Sequence, residues 1–144
     1  MTPYMVKEQA IALLLWSNMK EITNLIIRIY NVKKIDWMGY KVSKNNPYTY
    51  HHLIKKCDEG KERVENGAIL TSNAHEYLNV IEMYDLELYE YINNVLKQIN
   101  EQGFGPLERQ LLAINFILRQ FEEKYKTKTN FKGKQIIKTK YLDR

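Results

Sequence analysis

The chain has a single cysteine, Cys57, among 144 residues. No intrachain disulfide is possible, and no zinc site built on clustered thiolates. A lone thiol suits a reducing compartment, with Cys57 as a small, partly buried side chain. Prolines number three and glycines six, so the chain is neither collagen-like nor a Pro/Gly-rich linker. No run of eighteen uncharged apolar residues occurs, which argues against a membrane-spanning helix. The apolar run near the start follows Lys7 and Glu8 closely and lacks the pattern of a signal peptide. Together these absences favour a cytoplasmic protein.

What is present suits one domain with a short extension: 44% apolar residues, enough for a modest core, and 27% charged. The formal charge is +5 and unevenly placed. From Lys124 to Arg144 there are seven lysines and one arginine against Asp143, a surplus of seven that leaves residues 1–123 at −2. Such a tail fits a polyanionic partner, or serves only solubility. The division expected is a domain over 1–125 and a basic tail over 126–144.

Apolar spacing predicts a helix over residues 5–30, with Ser17-Asn18 able to break it. Residues 31–47 are irregular: Trp37, Met38, Tyr40 and Val42 suit a short strand or extended lead-in, and nothing there identifies chemistry. Tyr48 to Lys56, rich in aromatic and β-branched residues, reads as a strand. Turn signals follow at Cys57–Lys61 and at Glu65-Asn66-Gly67, and Ala68–Leu70 reads as the return strand. A two-stranded hairpin is marginal alone and must pack on something or be tied by a metal. Ser72 or Asn73 can cap the next helix, whose apolar stripe runs from Leu78 to about Asn100. Gly103 and Gly105 end it, Pro106 opens another, and Leu107, Leu111, Ile114, Leu118 and Phe121 carry that one to about Tyr125. The short connection predicts an antiparallel helix pair.

All three histidines, His51, His52 and His75, lie between Tyr48 and Glu82. His75 and Asn79 share one helix face at a four-residue step. His51 and His52 sit on the first strand and point to opposite faces unless the strand twists, bulges or ends there. Neutral imidazole is a metal ligand and a base near pH 7, and Asn79 offers a hard oxygen. Such an N/O set can hold Mg²⁺, Mn²⁺, Ni²⁺ or Zn²⁺; structural histidines are the plain alternative.

The segment resembles the HNH endonuclease motif, the ββα-metal fold, as found in small phage or mobile-element proteins of low-GC Gram-positive bacteria. The resemblance rests on His51-His52 in HHLI, Asn66 in ENGAIL, and His75 and Asn79 in AHEYLNVIE, spaced by fourteen, nine and four residues. It implies an α+β fold in which a ββα-metal (HNH) motif, core 48–82, is embedded in a mainly helical domain. It further implies a metal-dependent endonuclease that hydrolyses DNA phosphodiester bonds through a His-activated water, leaving 5′ phosphate and 3′ hydroxyl ends. By this resemblance His52 is the general base, and Asn66 ties the loop and holds the base strand. His51, His75 and Asn79 hold one divalent metal, Mg²⁺ foremost, with Asn79 either a direct ligand or the holder of a metal-bound water. Many relatives have histidine at the position of Asn79, and the paired cysteines of many HNH proteins are absent. Between His52 and Asn66 the one arginine is Arg63, so phosphate contacts fall to Lys55, Lys56 and the tail lysines Lys126, Lys128, Lys132 and Lys134. Tyr48 and Tyr50, on one side of the strand, are either substrate contacts or its apolar face. The competing reading is an inactive HNH-like module that binds nucleic acid or protein; a plain helical interaction protein is a third. The helical flanks offer a homodimer surface, and no membrane partner is expected.

Overall fold

The computed structural model describes residues 20–58 and 60–125. Residues 5–19 of the helix expected over 5–30, and the tail lysines Lys126, Lys128, Lys132 and Lys134, lie outside the described residues. Among the described residues the protein is α+β, with four helices and one two-stranded antiparallel sheet. In chain order these are α1 (20–29), β1 (Tyr48–His52), β2 (Gly67–Thr71), α2 (Ser72–Tyr84), α3 (Leu86–Gln102) and α4 (Glu108–Tyr125). None of these helices is long and apolar enough to cross a membrane.

The strands pair with Tyr48 opposite Thr71, Tyr50 opposite Ile69 and His52 opposite Gly67. Every residue of β2 is buried. Its apolar run lies in a core that also contains Ile26, Trp37, Leu78, Ile81, Ile92, Leu96, Ile99, Ile114 and Leu118. The strand is thus central although the sheet has only two strands. Its second edge is covered by the 31–47 segment, whose Trp37 N–H donates to Ile69 O (3.0 Å).

That segment contributes more than an extended lead-in. It forms two isolated bridges, Ile35 with Lys41 and Ser43 with Asn46, and buries Trp37, Met38 and Tyr40. Asp36, fully buried, organises it. Its Oδ1 accepts from Met38 N–H and Tyr40 N–H, and its Oδ2 accepts from Thr71 N–H at the start of α2. Asn31 ends α1 in the left-handed region (φ 54°), with Val32 N–H on Ile27 O and Asn31 N–H on Arg28 O.

Three boundaries differ from the sequence reading. The first strand stops at His52 rather than Lys56: Leu53 N–H still reaches Asn66 O in register, but Asn66 N–H turns to Arg63 O, Leu53 O is taken by Asn93, and Ile54 N–H goes to the Asn66 side chain. The cap of α2 is Thr71, not Ser72 or Asn73; its hydroxyl accepts from Ala74 N–H. The long helix expected up to Asn100 is two helices broken at Asp85. The Asp85 N–H closes α2 on Ile81 O, and its Oδ1 caps α3 through Leu88 N–H. Its Oδ2 accepts from Lys124 Nζ and Tyr125 OH at the far end of α4. At the opposite end Gln102 and Gln110 exchange amide hydrogen bonds, so α3 and α4 run antiparallel. Cys57 is exposed rather than partly buried.

Gly67 follows Asn66, and the pair reads as a turn, yet Gly67 is ordinary extended backbone (φ −115°). Its need is for space: an added Cβ would overlap the Tyr50 ring and Ile26 Cδ1. Tyr50 cannot swing away freely, since its hydroxyl donates to Arg63 O (2.8 Å) and accepts from Arg63 N–H (3.1 Å). Gly67→Ala is expected to destabilise the protein by about 1–3 kcal/mol through overpacking, read by urea unfolding. An unchanged midpoint would contradict this packing.

Candidate functional site

The hairpin and α2 bring the three histidines into one region, but on two faces. Thr49 and His51 point from β1 toward the helices. There the His51 ring meets the His75 ring edge-on at 5.4 Å, and Thr49 Oγ1 lies 2.9 Å from His75 Nδ1. Tyr50 and His52 point the other way, their rings 4.9 Å apart, toward the 56–66 loop. Strand alternation is kept, and His52 is the last residue of β1.

The hydrogen bonds fix which ring nitrogens carry protons. Thr49 Oγ1 donates its one hydrogen to Leu70 O, so toward His75 it accepts, and His75 Nδ1 holds the proton. His75 Nε2 is then the basic atom. Asn93 on α3 donates through Nδ2 to Leu53 O (3.0 Å), which turns its Oδ1 toward His51 Nε2 (2.8 Å). An amide oxygen only accepts, so His51 is protonated on Nε2 and basic at Nδ1. On the other face Glu62 Oε1 lies 3.2 Å from His52 Nε2. That carboxylate accepts, so in the neutral ring Nδ1 of His52 is free to take a proton.

Electrostatics keep the inner pair neutral. Burial pushes His51 down to about 4; Asn93 pulls it part-way back, and His75, His52 and Lys55 depress it further. Burial also lowers His75, helped by the charge of His52. For Glu62, desolvation acts upward, but its own backbone N–H, His52 and Lys56 outweigh that and hold the carboxyl below its usual range.

Buried neutral imidazoles have a consequence for acid stability. Below pH 6.5 the unfolded chain takes up a proton that folded His51 refuses until about pH 4. Stability is therefore fully present above 6.5 and lost toward 4, by on the order of 3 kcal/mol. His75 acts in the same direction. Asp36 opposes it. Burial pushes its carboxyl up from 3.8 to about 6, against the pull of its backbone donors, so the folded state binds the extra proton between those values. Stability from Asp36 is present at low pH and falls as pH rises through 6. Asp36 offsets most of the His51 loss while His75 is left uncompensated, and metal-free protein is expected to lose stability only gradually from pH 6.5 to 4. Asp36→Asn should lose about 3 kcal/mol over that interval relative to its own value at pH 6.5, measured by urea unfolding in EDTA. Parallel profiles for the two proteins would contradict the assignment.

Asn66 is buried and its side chain bridges the loop. Its Oδ1 accepts from Ile54 N–H (2.6 Å), and its Nδ2 donates to Ile54 O (3.0 Å) and Lys61 O (2.9 Å). These bonds hold the exit of β1, where His52 sits. From α3, Asn100 Nδ2 donates to Val64 O and Gly67 O, fastening the return of the same loop.

Asn79 is exposed one turn after His75. On the same stripe of α2, His75 meets Thr49 and Glu82 pairs with Lys55, so Asn79 lies between these two crossings of the hairpin. Lys55 is thus engaged by Glu82, with its ammonium 5.6 Å from the Tyr89 ring centre. Lys56 is exposed, 3.8 Å from Glu62. Among the described residues no three His, Cys, Asp or Glu side chains are grouped to hold a cation. The donors that fit one chemically are two neutral imidazole nitrogens and the Asn79 amide oxygen, a set that needs water or phosphate oxygens to complete it.

Two open clefts flank the pair. One of about 640 Å³ is bordered by Lys20, Asn24, Tyr48, Thr49, Tyr50 and His75. Another, of about 400 Å³, lies beyond Asn93 and is lined by Lys55, Glu82, Tyr89, Asn94 and Lys97.

Sequence reasoning missed Glu62, Asn93 and Thr49. Asn93 had a signal: it interrupts the apolar stripe that contains Tyr89, Ile92, Leu96 and Ile99 and is itself buried. Glu62 had none, being one acid among several in a polar loop. No protein-family model, characterised protein or solved structure matches the chain.

Proposed function

We propose that this protein is a metal-dependent endonuclease of the HNH (ββα-metal) type, acting on DNA. The observation that carries the reading is the pairing of two neutral, tautomer-fixed imidazoles with a third histidine held by a carboxylate at the strand end. His51 Nδ1, His75 Nε2 and the Asn79 oxygen would hold one divalent cation, Mg²⁺ or alternatively Mn²⁺, Ni²⁺ or Zn²⁺. When bound, such an ion polarises the scissile phosphate and neutralises charge on the departing 3′ oxygen.

The rest of the chemistry belongs to the chain. Glu62 accepts from His52 Nε2 and orients the ring, as a third group orients the base in hydrolytic triads. His52 is the last residue of β1 and lies on the face away from His51 and His75, so the scissile phosphate would lie across the strand end. There His52 Nδ1 takes the proton of a water as that water attacks phosphorus. The bond from phosphorus to the 3′ oxygen breaks, and that oxygen takes a proton from solvent, leaving a 5′ phosphate and a 3′ hydroxyl. Asn66 holds the exit of β1, and hence His52, in place. Lys56 is exposed beside this face and suited to a DNA phosphate, with the tail lysines as further contacts. Exposed Tyr91, Leu112 and Phe116 on α3 and α4 would serve a homodimer.

Purified protein is expected to nick supercoiled plasmid with Mg²⁺, Mn²⁺ or Ni²⁺ and not with EDTA, yielding ends that a ligase can seal. One observation favours the second reading, a binding module without turnover: Lys55, expected on phosphate, is committed to Glu82. DNA binding with no cleavage under any of the metals would support that reading and overturn the first.

A further inference from the structure

We infer that Asn93, on α3 and outside the motif, is a positioning residue that selects Nδ1 of His51 as the metal-donating nitrogen. The inference rests on the reading of His51 as a ligand. Its geometry stands independently, because each step follows from donor and acceptor chemistry.

The Leu53 carbonyl can only accept, so the Asn93 atom facing it at 3.0 Å is the NH₂ group. The amide is planar, and its oxygen is therefore the atom 2.8 Å from His51 Nε2. A carbonyl oxygen beside a neutral imidazole requires the N–H on that side. The proton is drawn to Nε2, and the lone pair is left on Nδ1. Without Asn93 the two tautomers of a neutral histidine compete, and a fraction of the rings would have Nδ1 blocked by hydrogen. Both residues are buried, at 5% exposure for His51 and 7% for Asn93, so in the intact protein the amide is the partner that sets the His51 tautomer. The same side chain anchors Leu53, the first residue after β1, so ligand orientation and strand exit are set by one group. A metal-bound histidine whose other nitrogen donates to a fixed oxygen is the usual arrangement, and removing that oxygen costs about 10–100-fold in metal affinity.

The test uses the full-length protein, metal-free, with the imidazole nitrogens labelled with ¹⁵N. Long-range proton–nitrogen correlation reports which nitrogen of His51 bears hydrogen. Wild type is expected to show one tautomer, N–H at Nε2. Asn93→Ala should show averaging or reversal, and Ni²⁺ titration should show affinity weakened by about 10-fold or more. Asn93→Asp keeps an acceptor toward His51 but loses the donor toward Leu53. It should retain the Nε2–H tautomer and bind Ni²⁺ as tightly as wild type or more so, which separates positioning from mere structural support. A wild-type His51 protonated at Nδ1 overturns the inference, so a poorly folded variant does not shelter it. Ni²⁺ binding in wild type with equal affinity and tautomer in Asn93→Ala overturns the inference alone. No Ni²⁺ binding by wild type overturns the ligand reading, and this inference with it.

Discussion

His52→Ala is expected to reduce metal-dependent DNA cleavage by about 10²–10⁴-fold while leaving the fold intact. His52 ends β1 on the face away from His51 and His75, where it meets the Tyr50 ring and Glu62. Its side chain is about one-fifth exposed, so truncation opens no sealed cavity, and unfolding free energy should change by less than about 1 kcal/mol. Metal binding should also survive, since the inner pair is held by Thr49 and Asn93 rather than by His52. Loss of turnover with retained metal and DNA binding is the signature of a missing base. Glu62→Gln should fall between the two: a glutamine oxygen can still accept from Nε2, but the charge that stabilises the imidazolium is gone. Plasmid nicking under single-turnover conditions measures all three proteins. Cleavage by His52→Ala within a few-fold of wild type would remove His52 from the base role.

Asp36→Ala is expected to give the largest loss of stability of any substitution considered, about 3 kcal/mol, or on the order of 10 °C in melting temperature. The carboxylate accepts from three backbone N–H groups, Met38 and Tyr40 at 2.8 Å and Thr71 at 2.7 Å. Alanine strands those donors in a dry interior at about 1–3 kcal/mol each. Relief of a costly buried carboxyl, pushed up to about 6 by desolvation, offsets part of that sum but not all. The loss has a functional side. Asp36 joins the loop that covers β2 to the first turn of α2, three residues before Ala74 and four before His75. Asp36→Ala should therefore weaken metal binding in proportion to its loosening of that turn. Denaturant unfolding measures the stability change; a loss below about 1 kcal/mol would show that water replaces the carboxylate there.

The hairpin and the helix after it were legible because period-two and near-four spacings meet around Asn66, Gly67 and His75, and β1 and β2 appear near the expected places. Gly67 was legible as a break, but not as the point where a Cβ would strike Tyr50, which depends on tertiary packing. The stripe from Leu78 to Asn100 hid the break at Asp85, because α2 and α3 both turn apolar faces to the same core. The break had a local sign, an aspartate placed three residues before Leu88 to cap it. Asp36, between Ile35 and Trp37, was equally visible as a charge in an apolar run, but its three partners are not local to it alone. At the site, the histidines could be named from spacing. Their tautomers could not, since these depend on Thr49 and on Asn93, 42 residues from His51.

The central claim is that His51 and His75 offer two basic nitrogens to one divalent cation, and calorimetric titration of Mn²⁺ into metal-free protein addresses it without DNA. One equivalent per chain is expected for wild type, retained by His52→Ala and lost or weakened by at least tenfold in both His51→Ala and His75→Ala. Binding of unchanged strength and stoichiometry in both of the latter variants would contradict the account.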